Sequence, residues 1–96
     1  MLMKDIIKDV KDMLDSYELE YETKEIEDGK VIEYSFEIGD KGWTIMASNE
    51  AHFIMGGCDY GVMVVCRELG LYDKAYLHIT NMIRRAIKDA RLRGVH

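Results

Sequence analysis

Residues 19–48 read LEYETKEIEDGKVIEYSFEIGDKGWTIMAS. Apolar and polar side chains alternate through this stretch, and two short turns rich in Gly and Asp interrupt it. Period-two alternation marks strands with one buried face. Asp28-Gly29 is the strongest short hairpin signal, because a type I′ turn needs positive φ at both central residues. A two-residue turn there pairs Glu25 with Ile32, Thr23 with Tyr34, Tyr21 with Phe36 and Leu19 with Ile38. The other face sets Lys24 against Glu33, Glu22 against Ser35 and Glu20 against Glu37. One face is apolar and the other polar, so the register is self-consistent. A second turn centred on Asp40-Lys41 pairs Ile38 with Trp43, Phe36 with Ile45 and Tyr34 with Ala47. The stretch is expected to form a three-stranded antiparallel meander with a single core face.

The flanks supply the cover that face needs. Ile6, Ile7, Val10, Met13, Leu14 and Tyr17 recur at helical spacing, which predicts an amphipathic helix from about residue 3 to 17. Tyr76, Ile79, Ile83, Ala86, Ile87 and Ala90 form a second stripe, with Asp73 as the expected N-cap and Gly94 as the stop. Between them, 53–55 reads as a fourth strand. The β-branched content of residues 62–66 favours a fifth, although Val62, Val65, Cys66 and Leu69 also fit a helical stripe. The expected fold class is α+β: an N-terminal helix, an antiparallel β-meander of three to five strands, and a long C-terminal helix packed on one sheet face. Residues 1–96 are expected to make a single domain, a size that allows one modest core.

Composition narrows the function. Residues 1–50 carry 14 acidic against 6 basic side chains, and residues 51–96 carry 4 against 7. The hairpin is acidic and the chain's end basic, which bears on partners rather than fold. No run of about 18 apolar residues exists, and the N-terminus lacks the apolar core of a signal peptide, so a cytoplasmic protein with no membrane span is expected. Two cysteines, Cys58 and Cys66, make no disulfide framework.

Gly56-Gly57-Cys58-Asp59-Tyr60-Gly61 interrupts the most apolar run and reads as a tight turn or a close backbone approach. Cys58, Asp59 and the nearby His52 are the weak catalytic candidates; a reactive thiol needs a cation or a helix N-terminus beside it. The loop matches neither phosphate-binding fingerprint. His52, Cys58, Cys66 and His78 stand six, eight and twelve residues apart, whereas structural zinc sites favour pairs two to five apart. No metal or cofactor is expected. Arg84, Arg85, Lys88, Arg91 and Arg93 lack interleaved aromatics in a chain of net charge −5, so they read as a solvated helix end rather than a nucleic-acid site.

The leading expectation is a small non-enzymatic interaction protein. Its acidic surface, Glu20, Glu22, Asp28, Glu33, Glu37 and Asp40, would bind a basic partner protein. Such a partner often handles nucleic acid, so the chain would occlude that site. In organisation alone this resembles small acidic phage inhibitors such as the anti-CRISPR proteins, some of which combine a helix, a small meander and further helices. That resemblance implies an inhibitor. The alternatives are an enzyme or ligand-binding protein centred on the Gly56–Gly61 loop, and a structural homodimer in which acidic hairpin and basic helix meet across a two-fold axis.

Overall fold

A computed structural model describes residues 5–49, 53–58, 61–66 and 72–94. The elements run α1 (Ile6–Ser16), β1 (Tyr21–Ile26), β2 (Val31–Ile38), β3 (Lys41–Ser48), β4 (Phe53–Cys58), β5 (Gly61–Cys66) and α2 (Tyr72–Leu92). The five strands form one antiparallel sheet in sequence order. This is the α+β meander that the alternation predicts, and residues 61–66 take the strand rather than the helix.

The first hairpin has the expected register, with Glu25 opposite Ile32, Thr23 opposite Tyr34 and Tyr21 opposite Phe36. Asp28 (φ 58°) and Gly29 (φ 84°) supply the two positive φ angles, and the Lys30 amide donates to the Glu27 carbonyl at 3.2 Å. The second turn differs from expectation. It is centred on Gly39-Asp40, not Asp40-Lys41, so Ile38 pairs with Lys41, Phe36 with Trp43 and Tyr34 with Ile45. The cause is Gly39, which takes φ 65° at the first central position, as a type II′ turn requires. Because the correction is two residues, every side chain keeps its face.

The glycine-rich hexapeptide is strand at four of its six positions, and Asp59 and Tyr60 lie outside the described residues. Gly56 and Gly57 lie inside β4, opposite Ile45 and Thr44, and Gly61 opens β5 opposite Cys58. The register slips at Gly56/Gly57, a bulge that adds a residue to β5. A Cβ at Gly56 would lie 3.0 Å from Ile79 Cδ1, so the missing side chain is what lets α2 approach the sheet.

One core holds both helices to one sheet face. Ile6, Val10 and Leu14 of α1 and Ile79 and Ile83 of α2 are fully buried with Ile45, Ala47 and Ile54. α1 lies over β3, and α2 over β4 and β5. The α1 N-terminus is tied to the end of β3. Asp5 Oδ1 accepts from the Lys8 amide, Asn49 Oδ1 accepts from the Ile7 amide, and Asn49 Nδ2 donates to Asp5 Oδ1, each at 3.0 Å. Tyr76 of α2 donates to the Asp9 carbonyl at 3.3 Å, and Arg84 Nε donates to the Tyr17 hydroxyl at 3.3 Å. α2 starts at Tyr72, so Asp73 falls in its first turn instead of capping it. Gly94 (φ 70°) ends it, its amide donating to the Arg91 carbonyl at 3.1 Å.

Candidate binding groove on the open sheet face

Neither helix reaches the second face of the sheet. Alternation along β1–β4 sends Glu22, Glu33, Ser35, Glu37, Thr44, Met46 and Met55 there, away from the core. Gly42 and Gly57 occupy the same face and carry no side chain. Thr44 stands between them, on β3 next to Gly42 and opposite Gly57 on β4. Short floor residues beside longer neighbours make a trough. The open groove has a volume of about 1030 Å³, and its lining includes Gly42, Thr44, Met46, Met55 and Gly57, with Glu20, Glu22, Ser35 and Glu37 on the β1–β2 side. The floor residues are half-buried, and the three glutamates are exposed.

The rim has a marked charge imbalance. Lys24 stands opposite Glu33, but Glu22 faces Ser35 and Glu37 faces Gly42. Carrying the register one residue past Tyr21 sets Glu20 beside Glu37. None of these three glutamates makes an ion pair among the described residues. Like charges this close across strands cost a few tenths of a kcal/mol per pair. An arriving cation would relieve that repulsion. A Lys or Arg would also lay its alkyl stem on the Met46 and Met55 floor with its charged head among the carboxylates.

The remaining acidic candidates are spread out. Glu33 shares the face, next to Met46 on the neighbouring strand. Asp40 is exposed in the β2–β3 turn, at the groove end. Asp28 sits in the β1–β2 turn at the opposite end of β2, about 24 Å along the strand. Gly42, Thr44, Met55 and Gly57 were not singled out by the sequence as site residues. Gly42 reads there as a turn residue and Gly57 as loop; only the strand parity places them on one face.

The thiol stands at the edge of the same groove, next to Gly57. Cys58 is half-buried, opposite Trp43, and packs against the core. Strand β5 follows it, so no helix N-terminus stands just ahead of it in the chain. Its proposed companions Asp59 and His52 lie outside the described residues, as does Tyr60. His78 is exposed on α2, and among the described residues no three His, Cys, Asp or Glu side chains converge on a common point. No described helix is long and apolar enough to cross a membrane. No protein family, curated protein or solved structure matches the chain.

Proposed function

We propose that the chain is a non-enzymatic interaction protein whose groove on the open sheet face receives a basic segment of a partner protein. The observation that carries this reading is the pairing of a side-chain-free trough, at Gly42 and Gly57, with three uncompensated glutamates at its edge. Glycines inside strands weaken a sheet unless something uses the space they leave. Uncompensated like charges weaken it too. A cationic side chain entering the trough answers both costs. The partner surface it fits is rich in Lys or Arg, the kind that otherwise contacts nucleic acid, so occupancy would block that contact. The glutamates sit where they would steer association and set register.

An arginine-rich peptide, followed by fluorescence anisotropy, tests this. Binding should weaken steeply as salt is raised past the point where the screening length falls to a few Å. Glu20→Lys with Glu37→Lys should abolish binding while leaving the melting temperature unchanged or higher. Thr44→Trp should do the same by filling the trough. Equal affinity in wild type and both variants would overturn the reading.

A further inference from the structure

We propose that the groove also accepts the cationic face of α2 from a second copy, so that the chain associates head to tail. This rests on the groove being a site for basic segments. The helix has the matching surface. Arg84, Lys88 and Arg91 recur at i, i+4 and i+7 along one side of α2 and are exposed. In α1 each described lysine has a local carboxylate, Lys8 with Asp12 at 2.7 Å and Lys11 with Asp15 at 2.8 Å. The α2 cations have no such ion pair among the described residues; Arg84 has only the Tyr17 hydroxyl. Leu92, one position beyond Arg91, is 76% exposed and supplies an apolar contact for the methionine floor.

The dimensions agree. Seven helical residues span about 10 Å. The glutamate frame is about 7 Å long from Glu20 to Glu22 and one strand spacing, about 5 Å, wide to Glu37. Position decides the symmetry. Arg84, Lys88 and Arg91 lie in the helix layer, beside the end of α1 at Ser16, Tyr17 and Glu18, and the glutamates lie across the sheet from it. A copy therefore cannot fill its own groove. A two-fold dimer would need both surfaces to face the partner at once, which opposite sides of one sheet do not allow. The contact is heterologous, and it propagates past two copies unless it closes into a ring.

Sedimentation velocity on the full chain tests this, with neutral variants that avoid creating new pairs. Wild type at low salt should form concentration-dependent species larger than a dimer, and high salt should return it to monomer. Glu20→Gln with Glu37→Gln should be monomeric alone, as should Arg84→Gln with Arg91→Gln. Their equimolar mixture should form a one-to-one dimer and stop, because only one intact groove and one intact helix remain to meet. A wild type that stays monomeric at low salt overturns the proposal, as does a mixture that does not pair. If that wild type still binds the arginine-rich peptide, the groove's function stands and self-association alone fails. If it binds neither, both fail.

Discussion

At Gly56 the whole arrangement of α2 depends on a missing methyl group. A Cβ there would stand 3.0 Å from Ile79 Cδ1 and 3.1 Å from Cγ1, and Ile79 is fully buried. Gly56→Ala should therefore destabilise the fold by about 1 kcal/mol or more, by overpacking. Ile79→Val removes Cδ1 and on its own should cost about 1 kcal/mol. The double variant should lose less than the two single losses combined, because the valine gives the new methyl room. Chemical denaturation of the four proteins measures this; strict additivity would show that the contact is not what constrains residue 56. The sequence marks the glycines as special but cannot say why. A Gly-Gly pair signals a turn when only neighbours are visible. The neighbour that matters here lies 23 positions downstream and is brought in by tertiary folding.

At the scale of elements, local chemistry made the hairpins legible. Asp28-Gly29 sets one turn type and with it a register for the whole of β1 and β2. The second turn, Gly39-Asp40-Lys41-Gly42, reads as centred on Asp40-Lys41, but its centre is set by which residue takes positive φ. Gly39 does, and the even shift left the core face intact. Helix α1 shows what local sequence conceals. Its cap is Asp5, but Asn49, 44 residues away, completes it. The Lys8 amide and Asn49 together hold the Asp5 carboxyl below its ordinary value of 3.8. A carboxyl lowered in the folded state adds stability that is full above the unfolded pKa and is lost as pH falls through the folded one. Asp5→Ala should cost about 1 kcal/mol at neutral pH, the usual value of an N-cap. The difference in melting temperature between wild type and variant should then narrow as pH falls below about 4. A difference that is constant from pH 7 to pH 2 would show that the charge on Asp5 contributes nothing.

The whole molecule has two unlike sides. Helices and core occupy one side of the sheet, with the exposed α2 cations in that layer beside the end of α1; the other side is an open groove with a glutamate edge. The charge asymmetry between the halves of the sequence is what survives of this in one dimension. Its conversion into opposite faces was not readable, because it depends on which side of the sheet both helices choose. Nor was the trough, since Gly42 and Gly57 belong to different strands and meet on one face only through the register. The central claim is that this groove, and not the helix layer, is where a basic partner docks. Amide chemical shifts of the labelled Arg84→Gln, Arg91→Gln chain, which keeps the groove but should not self-associate, test it most directly when titrated with the arginine-rich peptide. Changes confined to the groove lining, Glu20, Glu22, Glu37, Gly42, Thr44, Met46, Met55, Gly57 and Cys58, are the predicted result. Changes centred on α1 and the buried core, with the groove signals unmoved, would contradict it.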